Sequence, residues 1–356
     1  MSKTNYLKRS NKKKSIGWII SEKFFSLKYY ISNRYKRNNV MRFNPSVWIN
    51  KNCTKFSSEL YMPFKKYDVV VFLKVMSDRA IDEAKKTKSY GGKFIFDANV
   101  NYYEIWGNYP IPGTKPTNEQ KAQAEWMTIN ADYIVADSTY IEKICRKYNQ
   151  NVIWIPDNID VNKDYTGLKK HSEKNPLTAI WSGIAKKAFH FELIENVLYD
   201  FAKELRMIIV TNETENDKLP AVIFRLKKKL NIEIREWNSS RYPKDLLESD
   251  FLISPKILKN GYEMGHTEYK ISLGMAQRLP VIASDQPSYI DAFGNSAVGY
   301  ICKNEDEWYE AFKEILNSTP EERQAMGDSA RARVLSNYAL DVISNKYIST
   351  MNELIQ

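Results

Sequence analysis

The chain has 356 residues, 43% of them hydrophobic and 27% charged, and a formal net charge of +10. That is the profile of a soluble globular protein of two domains, with apolar material for two separate cores. No apolar run is longer than about five residues, which excludes a transmembrane helix of roughly 20, and the three scattered cysteines (Cys53, Cys145, Cys302) suggest neither disulfides nor a metal site.

The charge excess is local. Residues 1–40 hold eleven Lys or Arg against the single acid Glu22, and the rest of the chain is balanced. Such a stretch is a contact for an anionic membrane surface, a nucleic-acid contact, or a solvated basic tail before an ordinary basic helix. Aromatics lie among the charges (Trp18, Phe24, Phe25, Tyr29, Tyr30, Tyr35), which suits a lipid headgroup level. No nucleic-acid motif accompanies them, so nucleic acid is not expected as a partner. The apolar stretch Ile16 to Ile20 is too short for a signal peptide and runs straight into Ser21-Glu22-Lys23. A cytoplasmic protein is expected, peripheral at the inner membrane face.

In chain order, short apolar runs predict strands at Ser15–Ile20, Tyr67–Val75, Lys93–Asp97, Tyr133–Asp137 and Val152–Ile155. Helices are expected at Arg79–Lys88 behind the cap pair Ser77-Asp78, at Asn118–Asn130, and at Tyr140–Tyr148 behind Ser138-Thr139. Residues 38–62 carry no readable pattern. Residues 156–176 have the polar composition of a linker. A second series follows, with strands at Leu177–Ser182, Arg206–Thr211, Ile232–Trp237, Phe251–Ser254, Val281–Ser284 and Val298–Cys302, and helices between them. Pro320 to Ile355 reads as one or two long helices. The alternation predicts an α/β chain of two doubly wound Rossmann-like domains facing a cleft. Their expected limits are 1–155 and 177–335 around a hinge at 156–176, with 336–356 a helix placed to pack back on the first domain.

Ligands of such sheets bind past the carboxyl ends of strands. The stretch from Phe251 to Ser284 is the most informative. A strand ends at Ser254-Pro255, a polar loop carries Lys256, Lys259, Glu263 and His266, and a helix is expected to begin near Thr267. Helix N-termini attract anions, and Lys270 adds a full charge in the first turn. Alone, Lys270 also reads as a solvated helix lysine.

This stretch resembles the donor-binding segment of the group-1 (family 4) glycosyltransferases, matching at Lys270, Met275, Ala276, Pro280, Val281, Ala283 and Ser284. Ala131 to Ser138 resembles that family's "ADxIVxxS" strand, Ile155 to Asp160 its "IPNGVD" hinge entry, and Trp181-Ser182-Gly183 with Lys187 the opening of its second domain. Glu307-Trp308 and the last helices resemble its C-terminal end, so the similarity spans roughly 130–340. Three departures stand out. Leu273 occupies the position of the family's second Glu, which holds the donor ribose. Arg278 replaces the Gly before Pro-Val. Ser21-Glu22-Lys23-Phe24 stands where a glycine-rich loop belongs.

The resemblance implies the GT-B architecture and a metal-independent glycosyltransferase, with retention of anomeric configuration and no cofactor beyond the nucleotide-sugar substrate. The acceptor is a glycan or lipid-linked molecule, in surface polysaccharide or glycolipid assembly. Donor contacts are expected from Gly183, Lys187, Trp237, Glu263, His266, Thr267 and Lys270. Lys187 is a second diphosphate cation or a surface lysine. Trp237 stacks on the base or belongs to the core. His266 reaches sugar or phosphate, or is a loop histidine. Asp97, at a strand end, is an acceptor-binding or proton-handling group alongside Lys270, or a turn cap. Asn99 and Trp106, the latter in the aromatic loop Tyr102–Thr117, are expected on the acceptor side. No metal site is expected. The departures favour a second reading, a catalytically weakened GT-B-like binding subunit, and a nucleotide-sugar-modifying enzyme such as an epimerase is a third.

Overall fold

The computed structural model describes residues 13–33, 41–215 and 218–355. Residues 1–12 and 34–40 of the N-terminal basic stretch lie outside the described residues. Two six-stranded sheets, parallel throughout, organise the chain. The first contains β1 (Lys14–Ile19), β2 (Phe56–Leu60), β3 (Val69–Leu73), β4 (Lys93–Ala98), β5 (Tyr133–Ala136) and β6 (Val152–Trp154), in the order β2-β1-β3-β4-β5-β6. The second contains β7 (Leu177–Ser182), β8 (Leu205–Thr211), β9 (Asn231–Glu236), β10 (Phe251–Ser254), β11 (Val281–Ser284) and β12 (Gly299–Cys302), ordered β12-β11-β10-β7-β8-β9.

Helices cover both faces, so the central strands are apolar without alternation. All five residues of β3 and all six of β7 are buried. Each sheet separates two apolar clusters. The second sheet has the Rossmann order, with its switch point between β7 and β10, and the carboxyl ends of these two strands open the crevice that a ligand uses.

The unreadable region 38–62 holds the helix Asn44–Asn52 and the edge strand β2. Burial in β2 (FSSEL) involves a serine, which hid it from hydropathy. Ser58 Oγ accepts from Trp18 Nε1 at 2.8 Å and bonds Ser46 Oγ at 2.9 Å, so the buried hydroxyls satisfy each other. Three aromatics placed with the membrane contact are interior instead: Trp18, Phe24 and Phe25 are buried in the first domain. Tyr35 lies outside the described residues.

The tail forms two helices, Pro320–Asn337 and Leu340–Ile355. The first starts from a capping box between Thr319 and Glu322. Between them the chain crosses domains, where Leu340 N–H donates to the Ile159 carbonyl at 3.0 Å. Ile343, Tyr347 and Met351 of the last helix then pack with Ile16, Trp18 and Ile49 of the first domain.

Candidate functional site: a cationic crevice

At the β7–β10 switch point, charged side chains from both strand ends converge. Past β7, Gly183 leads into a 3-10 helix, Ala185–Leu193, that carries Lys187 and His190. Past β10 come Lys256, the short helix Gly261–Met264 with Glu263, then His266, and then the helix Tyr269–Ala276 with Lys270 as its second residue. That helix begins two residues later than the sequence suggests. Glu268 is therefore its N-cap position, in αR geometry with no side-chain cap, and Thr267 accepts weakly from Tyr269 N–H at 3.4 Å.

Glu263 is the carboxylate this group shares. It lies 3.4 Å from Lys187 Nζ, 3.6 Å from Lys256 Nζ and 3.6 Å from His190 Nε2. His190 Nδ1 accepts from the Ile257 N–H at 3.1 Å, which places the ring proton on Nε2, toward Glu263. Lys187 Nζ and His266 Nε2 are 2.6 Å apart. Lys270 Nζ lies 4.7 Å from the Trp181 ring centroid. Gly183 permits this approach, since a Cβ there would come within 2.7 Å of the Trp181 ring and 3.2 Å of Lys270 Nζ.

Burial dominates the electrostatics and lowers every basic group of the cluster, Lys187 included. Burial, then the field of Lys256 and Lys187, holds Lys270 well below the lysine range. Burial pushes Lys256 down to about 7, with Glu263 opposing and Lys187 assisting. Burial and the neighbouring lysines keep the His266 imidazole neutral. Burial would raise Glu263, but His190, Lys256 and Lys187 hold it well below the carboxylate range. One buried carboxylate thus pairs with two lysines, and Lys270 lies beside Gly183 in the same crevice. The sequence assigns no donor contact to two site residues, though it places Lys256 in the polar loop past β10. Lys256 was readable in principle as the first polar residue past β10, whereas His190 carried no signal.

Two strands across, Trp237 follows the end of β9. It is 43% exposed and lines an open cavity of about 500 Å³ with Glu236, Asn238, Ser240, Arg241 and Lys244. Its ring lies 4.5 Å from Tyr242, whose hydroxyl bonds Ser182 Oγ at 2.9 Å beside Gly183. Two strand spacings, about 10 Å, separate the ends of β7 and β9, a span suited to a nucleotide lying between the cations and this ring. The core alternative for Trp237 does not hold.

The first domain closes over the crevice. Gly107 bridges to Asn260, at φ +82°, and a Cβ there would sit 2.0 Å from the Lys259 carbonyl oxygen. Asn101 Nδ2 donates to the Gly261 carbonyl at 3.0 Å. Trp106 is 40% exposed, with its indole nitrogen next to Gly261, and Asn99 is partly buried past β4. Asp97 is a correction. It is fully buried, takes two hydrogen bonds from Arg42 at 2.9 and 3.2 Å and one from Tyr347 at 2.5 Å, and does not face the cleft. Arg42 also pairs with Asp157 at 2.8 Å, tying strand end, hinge and last helix together. Leu273, at the departing glutamate position, is a core residue of the second domain. Arg278, at the departing glycine position, adopts φ 68°.

Two parallel-sheet domains closed over such a crevice make up the GT-B architecture of glycosyltransferases, and this chain has that fold. No protein-family model and no curated protein matches the sequence. Among solved structures, a glycosyltransferase from Rickettsia africae ESF-5 aligns with a TM-score of 0.64 at 16% identity, over 97% of this chain and 99% of that one. Anabaena HepE, in complex with UDP and glucose, gives 0.61 at 12% identity, covering 80% of this chain and 78% of its own. A mutant of S. aureus TarM, in complex with fondaparinux, alpha-GlcNAc-glycerol and UDP, gives 0.61 at 12% identity over 86% of this chain. This chain spans 58% of the TarM length. At such identities the likeness establishes the fold.

Proposed function

We propose that the protein transfers a sugar from a nucleoside diphosphate sugar to a glycan or lipid-linked acceptor, in surface polysaccharide or glycolipid assembly. The observation that carries this reading is the convergence of Lys187 and Lys256 on Glu263, with Lys270 Nζ beside Gly183 and the Trp181 ring, at the β7–β10 switch point. Trp237 receives the base, and the two neighbours solved with UDP support a uridine nucleotide.

As the bond from the anomeric carbon to phosphate breaks, its electron pair moves onto the diphosphate. The lysines stabilise that growing charge in a crevice that excludes water, where each contact is stronger than in bulk solvent. The acceptor hydroxyl oxygen bonds the anomeric carbon, and its proton passes to the departing diphosphate. Lys270 is assigned the catalytic role on the leaving group, and Lys256 joins it. Their charge takes the part a metal plays elsewhere, which supports metal-independent transfer. The resemblance to family 4 supports retention of configuration. The acceptor enters past Trp106 and Asn99. The basic N-terminal stretch supports a peripheral position on the inner membrane face, and no described helix is long and apolar enough to cross a membrane.

Calorimetric titration with nucleoside diphosphates, followed by product release across a panel of nucleotide sugars, tests the reading. Lys270→Ala should weaken UDP binding by about ten- to a hundredfold, the loss of one charge-assisted contact. Absence of nucleotide binding together with absence of turnover overturns it.

A further inference from the structure

The loop 101–108 of the first domain is fastened to the segment 259–265 of the second. Asn108 N–H donates to the Lys259 carbonyl at 3.2 Å, and Asn101 Nδ2 donates to the Gly261 carbonyl at 3.0 Å. Asn260 is the joint of this clasp. Its Nδ2 donates to the Asn108 carbonyl at 2.6 Å, while its Oδ1 accepts from the Glu263 N–H at 2.8 Å and caps the helix Gly261–Met264. The two backbones meet at glycines. A Cβ on Gly261 would come within 2.7 Å of the Glu104 carbonyl oxygen, and one on Gly265 within 2.7 Å of the Asn101 Cβ. One side chain thus grips the first domain and sets the helix that carries Glu263.

The clasped segment covers the lysines. Glu263, 3% exposed, pairs with Lys187 and Lys256, and Lys256 is itself only 6% exposed. The Tyr262 ring lies 4.8 Å from Lys187 Nζ and 4.3 Å from the His266 ring. A diphosphate would need the same ammonium groups. Its charge and the Glu263 carboxylate repel each other strongly at such distances in a poorly hydrated site. The two anions therefore compete for one place.

We propose that the segment 259–265 is a gate held shut by the first domain, with Glu263 filling the place of the donor's diphosphate until the clasp parts. The inference rests on the crevice being the donor site and adds its regulation. While the gate is shut, Lys187 and Lys256 keep a buried counter-charge, so no donor is needed to offset them. When the loop 101–108 withdraws, Asn260 loses its partner, the cap over Glu263 loosens, and the carboxylate yields the lysines to the diphosphate. Such a gate lowers the apparent affinity by the fraction of molecules that stand open.

Two substitutions on different residues of the clasp test it, and either one that folds is decisive. Gly107→Ala forces the clasp apart, since a Cβ there meets the Lys259 carbonyl oxygen at 2.0 Å. Asn101→Ala removes the bond to Gly261. Binding of inorganic pyrophosphate and of UDP to the full chain is measured by calorimetry and stopped-flow tryptophan fluorescence, beside amide hydrogen exchange across 259–265. Exchange should quicken in both variants. Both ligands should bind about five- to tenfold more tightly, the change expected from losing one hydrogen bond that favours the shut form, and the gain should lie in the association rate. Damage to the site would weaken binding, so the direction of the change separates a gate from a merely structural clasp. Unchanged exchange, or faster exchange with affinity equal to or below wild type, overturns the gate and leaves the donor site standing. Failure of both ligands to bind wild type and variants alike overturns the donor site together with its gate.

Discussion

Lys187 Nζ donates to His266 Nε2 across 2.6 Å, a contact between two nominal cations that requires the imidazole to be neutral. The crevice tolerates the pair because Glu263 lies 3.4 Å from the same ammonium. Burial lowers Lys187, Lys256 and Lys270 together, so a diphosphate bound among them would draw protons into the crevice.

Proton linkage follows from Lys256. Its ammonium is pushed down to about 7 by burial, with Glu263 opposing and Lys187 assisting. A bound diphosphate raises that value. The ligand prefers the protonated form, so affinity is full below a pH of about 7 and declines as pH rises through it. Titrations of UDP at mildly alkaline pH, in Tris and in HEPES, should reveal net proton uptake. Identical observed heats in the two buffers would contradict this.

Glu263→Gln should destabilise the fold. It leaves Lys187, Lys256 and His190 facing one another without their buried counter-charge, a loss of about 3–5 kcal/mol. Inorganic pyrophosphate should raise the melting temperature of this variant more than that of the wild type, because the anion restores the missing charge.

Trp237→Ala should separate the base from the diphosphate. Stacking on an aromatic ring contributes about 1–3 kcal/mol per base. Affinity for UDP should fall accordingly while affinity for pyrophosphate stays unchanged. An equal loss for both ligands would place the ring outside the base site.

Asp97→Asn should act on stability and spare the chemistry. The carboxylate is sealed against Arg42 and Tyr347, and breaking a buried pair costs about 3–5 kcal/mol. Thermal unfolding should shift down strongly, while kcat measured below the transition stays near wild type. A kcat collapse in a well-folded variant would return Asp97 to the catalytic machinery.

Arg278→Gly should stabilise the protein. Arg278 sits at φ 68°, a left-handed conformation that costs a side-chain-bearing residue about 1–2 kcal/mol and glycine almost nothing. Its ion pair with Asp328, 2.8 Å long between partly and well exposed side chains, returns at most about 1 kcal/mol. A rise in melting temperature is the expected result.

Much of the architecture was legible because it is local. The apolar run Val69 to Leu73 can be a strand buried on both faces and little else, and Ser77 and Ser138 cap helices where they stand before a helical pattern. The lysines of the crevice were legible too, since chain order alone places residues 187 and 270 past strand ends or at a helix start. Partnership was not legible. Arg42 reaches Asp97 across 55 positions, and Tyr347 reaches it across 250. No periodicity records that meeting, so a strand-end aspartate read as cleft-facing is in fact consumed within the fold. His190 and Lys256 enter the site for the same reason: burial patterns repeat along the chain, whereas charges find their counter-charges through space.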